Sequence, residues 1–581
     1  MTTDTLCYIA EMRTSLLIWA AMGCDATPTE KPADDATGDT GSGSWSPPDQ
    51  AIDGSSVEIE TASLNTCWMR DRDPEQPFSL DVRLGDMADH WIPWEDPIAG
   101  YGWGLAIEDF NGDGHLDLFL PNLGFDRLLL GDGTGSFSDA SDTLPMGVYA
   151  DEGVDTSGVA ATDIDGDGDV DIYLANRGPD RILSNLGDGT FEDITLSSGI
   201  LREDLDSISA TWGHMDNDGL PDLFVSTYIM GTFPFEVLQA GGVPEGDPNR
   251  LYRNLGGGQF ELVPLPGDAS RTFAFTAGWH DIDGDRDADL IVVNDLGPIV
   301  VPNLVLRNDD GTLVSVPDST LARPMYGMGL AVQDLNGDDQ PDFLMSSWDE
   351  MIWMVSDGEG DWYEDSRNWG LSFEPGRRHI AWGAELADID NDTDADALVA
   401  FGHLNMDPIE QTFFEQSLSL MNPEEQADWV LRNNGGTFDS VDATWGLDDT
   451  TGSRELMPAD INGDGWLDLV RRSKDAPAAL HMAHCGDDGA LLLRLSDLGP
   501  NTLGLGVTVV VTPIERDGTR GSPQRITVQA GSTGIASSRP HQLHFGLGAA
   551  PWAAIEVQWL DGTTTKVSHV ESNQRIQIRR Q

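Results

Sequence analysis

The chain has 581 residues, enough for more than one core, and sets 100 Asp and Glu against 32 Lys and Arg for a formal charge of −68. An acidic excess of this size repels polyphosphates and anionic lipid surfaces, which excludes nucleic acid as a partner and limits membrane contact to an anchor. Four cysteines are too few for a disulfide scaffold in a chain this long.

In chain order, the first predicted element is an address. From Met12, taken as the translation start, the sequence reads MRTSLLIWAAMGC, one Arg followed by an apolar run from Leu16 to Met22. Such a run is too short to span a bilayer and suits a secretory signal, and Cys24 after Gly23 resembles a bacterial lipoprotein cleavage site. Residues 1–24 are thus expected to be a signal peptide with lipid attached at Cys24. The protein is expected to be exported, as an outer-membrane lipoprotein of a bacterial envelope or in secreted form. Residues 25–66, opening with the Pro-, Gly-, Ser- and Thr-rich DATPTEKPADDATGDTGSGSWSPP, are expected to form a flexible linker.

A nine-residue frame then recurs seven times. It reads DFNGDGHLD from Asp109, DIDGDGDVD from Asp163, HMDNDGLPD from His214 and DIDGDRDAD from Asp281. DLNGDDQPD from Asp334, DIDNDTDAD from Asp388 and DINGDGWLD from Asp460 complete the set, at successive spacings of 54, 51, 67, 53, 54 and 72. A long period kept through seven copies marks a repeat architecture.

Oxygen-bearing side chains fall at positions 1, 3, 5 and 9 of the frame. They are Asp109, Asn111, Asp113 and Asp117, then Asp163, Asp165, Asp167 and Asp171. The third copy offers Asp216, Asp218 and Asp222, and the fourth Asp281, Asp283, Asp285 and Asp289. Asp334, Asn336, Asp338 and Asp342 follow, then Asp388, Asp390, Asp392 and Asp396, and finally Asp460, Asn462, Asp464 and Asp468. Crowded carboxylates repel unless a cation sits among them, and Ca²⁺ takes six to eight hard oxygen ligands on alternate residues of a tight turn. Up to seven Ca²⁺ are therefore expected, position 7 giving its carbonyl and position 9 both carboxylate oxygens. An EF-hand is excluded, because Leu120, Leu174 or Arg471 stands where that loop needs Glu. His214 replaces the first Asp of the third copy and is a poor Ca²⁺ ligand, so that site is expected to be the weakest, with His214 a surface turn residue. Position 6 calls for a positive φ and is Gly except at Arg286, Asp339 and Thr393.

Strands flank each loop. Leu105 and Ile107 alternate with Ala106 and Glu108 before the first, Met328, Leu330 and Val332 with Gly329, Ala331 and Gln333 before the fifth, and Trp382, Ala384 and Leu386 roughly repeat the pattern. Period two means a strand with one bulky and one small face. After each loop comes a second strand, then hairpins such as RILSNLGDGTF, then a short strand opened by an aromatic residue or Leu. That is four strands per repeat, the content of a propeller blade. The last repeat lacks its fourth strand, and FSLDV from Phe78, ahead of the first loop, makes up the number by closing the ring.

These loops and strands resemble the FG-GAP/VCBS repeats of integrin-α-like propellers, over residues 75 to 485. The tail segments NTLGLGVTVVV, VQAGSTGIASS, LHFGLG and IEVQWLDGTTTKV are similar to the ASPIC/UnbV domain, which follows such propellers in the cartilage acidic protein family. The resemblance implies an all-β chain, a seven-bladed β-propeller over residues 67–485 and a small β-sandwich or barrel over 486–581. In the tail, the stretch holding Ile535 and Ala536 departs from the usual aromatic one, and His541 and His544 read as structural.

No GxSxG, HExxH, CxxC or phosphate loop occurs. The leading functional reading is a non-enzymatic, calcium-binding surface propeller, monomeric, that binds a protein or glycan partner. An exported polysaccharide hydrolase or lyase is the alternative, since its acid and base would have no fixed spacing, and a structural spacer is the third reading. The insertions at residues 227–250 and 403–428 are expected to carry partner contacts. With Cys7 ahead of the start and Cys24 lipidated, Cys67 and Cys485 remain as a disulfide pair in an oxidising compartment.

Overall fold

Glycine-rich turns at fixed spacing leave room for only short strands between them, and the computed structural model is built almost entirely of such strands. It describes residues 52–53, 57–65, 78–83, 104–122, 125–145, 155–230, 237, 240–373, 379–402, 426–448, 450–474 and 476–581. The expected signal segment, Cys24, Cys67, residues 231–236 and nearly all of the second insertion lie outside the described residues.

Each frame joins the first two strands of a four-stranded antiparallel meander. In the second repeat these are Asp155–Thr162 and Asp171–Gly178, followed by Arg181–Asn185 and Phe191–Asp193. The residue before the frame pairs with position 9 every time: Glu108 with Asp117, Thr162 with Asp171, Gly213 with Asp222, His280 with Asp289. Gln333 with Asp342, Ala387 with Asp396 and Ala459 with Asp468 continue the same register. Seven such units follow one another among the described residues, the second and third joined edge to edge through Arg177–Asp206 and Gly178–Leu205. In the last unit the outer strand is Phe78–Arg83, paired antiparallel with Ala479–Ala483.

The alternation of bulky and small residues decides how units stack. Leu105 and Ile107 of the first inner strand pack against Met457, Val470 and Leu480 of the last unit, while Ala106 faces Val159 and Ile172 of the second. Comparable apolar layers lie between every other pair of consecutive units. Because the first unit shares a layer with the last, the units form a closed circuit, the propeller arrangement, which leaves only short outer strands as edges.

The C-terminal domain is a two-sheet sandwich. One sheet orders Ile52–Asp53, Thr564–Glu571, Trp552–Gln558, Thr508–Ile514 and Gln524–Thr527; the other orders Val57–Ser63, Gln574–Arg580, Gly489–Asp497 and Leu543–Gly548. Its core includes Leu491, Leu493, Val509, Val511, Phe545, Ile555, Val557, Ile576 and Ile578. The linker expected over residues 25–66 is corrected at its C-terminal end, where residues 52–53 and 57–63 are strands of this domain. Residues 57 to 63 pair with the whole of Gln574–Arg580, and Val57 and Ile59 pack on the sandwich core. The alternation Val57, Glu58, Ile59, Glu60 is a half-buried strand pattern, unlike the Pro-, Gly-, Ser- and Thr-rich sequence before it.

Candidate metal centres beneath a docked C-terminal domain

The seven loops share one backbone scaffold built from their own aspartates. At position 9 the carboxylate is buried and takes two backbone N–H bonds, one from position 2 of its loop and one from the third strand of its unit. Asp171 accepts from Ile164 at 2.9 Å and Asn185 at 2.7 Å, and Asp396 from Ile389 at 3.1 Å and Asn433 at 2.8 Å. Asp117, Asp222, Asp289, Asp342 and Asp468 do the same. Each oxygen at position 9 thus already serves as a backbone acceptor and keeps only its second lone pair for a cation, so the first role of this residue is to clamp the loop. Position 1 accepts from the N–H of position 6, as in Gly168 to Asp163 at 2.7 Å and Thr393 to Asp388 at 2.9 Å.

Position 6 has positive φ in all seven loops, including Arg286 at 79°, Asp339 at 71° and Thr393 at 88°. Position 4 has it too, from 57° at Asn217 to 85° at Gly166, a requirement the sequence signalled only as a preference for Gly or Asn there. A further unpredicted contact links neighbouring loops. The Asn that ends the third strand donates to the position-2 carbonyl of the preceding loop: Asn185 to Phe110, Asn254 to Ile164 and Asn308 to Met215, at 2.9, 2.9 and 2.8 Å. The Ser-Asn or Arg-Asn that recurs before the turn in four units, ending at Asn185, Asn254, Asn308 and Asn433, was its signal.

What separates the loops is positions 1 and 3 together. Where both are Asp, three carboxylate oxygens come within 4.8 Å of one another: Asp163, Asp165 and Asp171; Asp281, Asp283 and Asp285; Asp388, Asp390 and Asp396. Asp165 Oδ1 and Asp390 Oδ1 are buried without a hydrogen-bond partner. Burial, then mutual repulsion, pushes Asp390 up to about 6 and Asp388 well above the ordinary carboxylate range. Where position 3 is Asn, its amide donates to position 5 instead, Asn111 to Asp113 at 3.1 Å, Asn336 to Asp338 at 3.0 Å and Asn462 to Asp464 at 3.0 Å. An all-oxygen donor set with orphaned buried oxygens fits a hard divalent cation, and Ca²⁺ before a transition metal.

Some loops have a resident cation close by. Arg432 lies 2.8 Å from Asp390 and 3.2 Å from Asp392, while Arg307 and Arg253 approach Asp283 and Asp216 only to 3.9 and 3.8 Å. These are partly exposed pairs of small energetic weight.

His214 is not a surface turn residue. It is buried, its Nδ1 lies 3.0 Å from the Leu220 carbonyl and its Nε2 3.2 Å from that of Leu505 in the C-terminal domain, and burial pushes its pKa down to about 4. The C-terminal domain in fact sits on the loop face of the propeller. Thr502 donates to Asp163, Arg525 pairs with Asp339, Gly548 N donates to Asn391 O at 2.8 Å, and His544 Nε2 lies 3.1 Å from Gly465 O. At Gly546 a Cβ would stand 2.0 Å from an oxygen of Asp388, so only glycine allows this approach.

From that domain, residues 530 to 541 enter the centre of the ring. Ala530–Gly531 pairs with Thr211 and Trp212, and backbone bonds run from Val159 to Ala536, Leu330 to Gly534 and Ile107 to Ser538. Thr276 donates to Ser532 O at 3.2 Å, Arg539 pairs with Glu385, and Glu455 accepts from Ile535 N at 3.2 Å and Ser537 Oγ at 3.3 Å. The plug therefore touches the inner strand of all seven units. Ile535 and Ala536 are fully buried among Phe275, Met328 and Trp382, which gives the stretch that departs from the usual pattern a packing role. Trp382 is core, its Nε1 donating to Gly402 O at 2.7 Å.

Glu108, His541 and Thr162 are in acid–base–hydroxyl order, with His541 Nδ1 2.7 Å from Glu108 and Nε2 3.2 Å from Thr162 Oγ1. Burial alone would raise the Glu108 carboxyl, but Arg494 and His541 outweigh it and hold it down to about 2. All three groups are buried and joined across the domain contact, so they act as a fastening. Cys485 is disulfide-bonded.

A family model described as FG-GAP-like repeat matches residues 109–174, 163–225, 281–345 and 418–470, and one described as ASPIC and UnbV matches residues 497–581. Cartilage acidic protein 1 of Xenopus tropicalis is 22% identical over 520 residues, covering 82% of this chain and 73% of that protein. The Homo sapiens protein of the same name is 23% identical over 523 residues, covering 82% and 72%. Among solved structures, an Agrocybe aegerita lectin recognising non-reducing terminal N-acetylglucosamine is 17% identical with a TM-score of 0.38, covering 63% of this chain and 88% of that one, a likeness too low to bear on function. The chain is thus an FG-GAP-like repeat protein with a C-terminal ASPIC and UnbV domain, distantly related over most of its length to cartilage acidic protein 1.

Proposed function

We propose that this is an exported, calcium-stabilised propeller that binds a protein or glycan partner and catalyses no reaction. The observation that carries the calcium part is the pair of buried, unpartnered oxygens on Asp165 and Asp390, each inside a cluster of three carboxylates. In those loops positions 1, 3 and 5, the carbonyl of position 7 and the remaining lone pairs of position 9 would hold the ion. Bound Ca²⁺ supplies positive charge that neutralises the cluster and ties the turn. Since Thr502 touches Asp163 and Gly546 abuts Asp388, the same loops seat the C-terminal domain, and metal binding is coupled to its docking.

Export is supported by the apolar run ahead of Cys24 and by the disulfide at Cys485, a bond that persists in oxidising compartments. The partner-binding part rests on a rigid closed scaffold whose axis is filled by its own plug, which leaves recognition to surfaces around it. Titration of the metal-free protein with calcium, followed by calorimetry and by limited proteolysis, tests the reading. Saturable uptake of at least three ions with protection of the Gly486 region is the expected result; no uptake, or uptake without protection, contradicts it.

A further inference from the structure

The residue just before each metal loop lies at the mouth of the ring, under the C-terminal domain. At the first two units this residue is Glu108 or Thr162, and His541 satisfies both. At the fourth and fifth units it is His280 or Gln333, and there the C-terminal domain leaves a cavity of about 210 Å³ instead of a partner. His280 is only 8% exposed, and burial alone acts on its ring; Gln333 beside it is half-buried, and neither side chain makes a hydrogen bond among the described residues. Gln529 faces them from the C-terminal domain and is likewise unpartnered. Trp279 and Leu330 add apolar wall.

The chamber opens, past Asn217, Arg286 and Leu560, into a second cleft of about 400 Å³ between the third and fourth loops and the sandwich. Five aspartates line that cleft against Arg286 and Arg580, and Arg580 is already paired with Asp497 and Asp561. The entrance is therefore negative and repels anions.

We propose that this chamber binds the terminal unit of a neutral saccharide. An imidazole and two carboxamides present both donors and acceptors to a ring of hydroxyls, and the indole and leucine walls suit the C–H face of a pyranose. The volume admits one sugar ring, with further units running out through the acidic cleft, where uronates are disfavoured. Pairing of ligand hydroxyls with His280 and the two half-buried carboxamides orients the ring in the chamber. The inference rests on the partner-binding reading above and gives it a site.

The test uses the full exported chain at saturating calcium. Isothermal titration with glucose, galactose, mannose, N-acetylglucosamine, fucose and their disaccharides is run beside glucuronate and galacturonate. Saturable one-to-one binding of at least one neutral sugar, weakened about tenfold by Gln529→Ala and by Gln333→Ala at unchanged melting temperature, is expected. Neither variant alters a metal-loop oxygen. Absence of saturable binding across the neutral sugars, preference for a uronate, or an affinity in both variants unchanged from that of the parent protein overturns the proposal. Calcium-dependent stability would survive that failure, so the loss of the chamber and the loss of the broader reading are told apart.

Discussion

The loops that begin at Asp163 and at His214 have the same backbone and different chemistry. Both carry two positive φ angles, Gly166 at 85° and Gly168 at 98° in one, Asn217 at 57° and Gly219 at 87° in the other. Both are clamped by a buried position-9 Asp, and both are latched by an Asn from the next unit. In the first, three carboxylates converge on an oxygen without a partner; in the second, an imidazole reaches across to the Leu505 carbonyl. The frame is therefore two devices laid over each other. Positions 4, 6 and 9 make the turn, while 1 and 3, joined by 5 or 9, gather the carboxylates, and that cluster can be exchanged for a domain contact without loss of the turn.

The largest way to sharpen this contrast is to remove the metal. At about 10 mM calcium, sites with dissociation constants of roughly 10⁻⁴ to 10⁻³ M add about 4–8 kcal/mol over the three all-aspartate loops. Chelation is expected to lower the melting temperature accordingly, and a curve unmoved after verified metal loss contradicts it.

Acidity separates the two states by sign. Burial raises Asp171 to about 8 and Asp117, Asp222, Asp289 and Asp342 to about 7, above their unfolded values. A raised carboxyl binds its proton more tightly when folded, so this contribution is complete below the unfolded pKa and is lost as pH rises through 7 to 8. Metal-free protein should thus gain stability on going from pH 8 to pH 5, whereas calcium-loaded protein should lose it as protons displace the ion. Thermal melts at both pH values, with chelator and with calcium, check this; slopes of one sign in both would refute it.

Single substitutions test the loops individually. Asp163→Ala should remove one bound ion and cost about 2 kcal/mol more in calcium than in chelator. His214→Ala should cost the same in both and leave the ion count unchanged, since its partners are carbonyls. A fall in calcium stoichiometry with His214→Ala would break the comparison. The smallest effect concerns the turn itself. Thr393 is β-branched and holds φ at 88°, so Thr393→Gly should stabilise the protein by about 1 kcal/mol, read as a shift in urea midpoint.

Seven frames, the period-two strands beside them and the displaced FSLDV strand were all legible, because turn chemistry and face alternation are written in neighbouring residues. Position 6 was legible for the same reason, down to the three non-glycine residues that must bear positive φ. The clamp at position 9 was read as chelation, since an aspartate looks alike whether it faces an ion or two N–H groups. Residues 57 to 63 were read with the Pro- and Gly-rich sequence before them, although their alternation was present, because nothing local tells a strand which sheet it will join.

Composition, period and turn residues alone determined an all-β repeat chain, the oxygen positions of its loops and the closing of the ring by an early strand. Only tertiary structure decided that the C-terminal domain covers the loop face, that Ile535 and Ala536 plug the axis, and that Glu108 meets His541 across 433 residues of sequence. The division is physical. Strand pattern and turn geometry are dictated by contacts a few residues apart, whereas docking sums many weak complementary contacts between distant segments, and no one of them leaves a period in the chain.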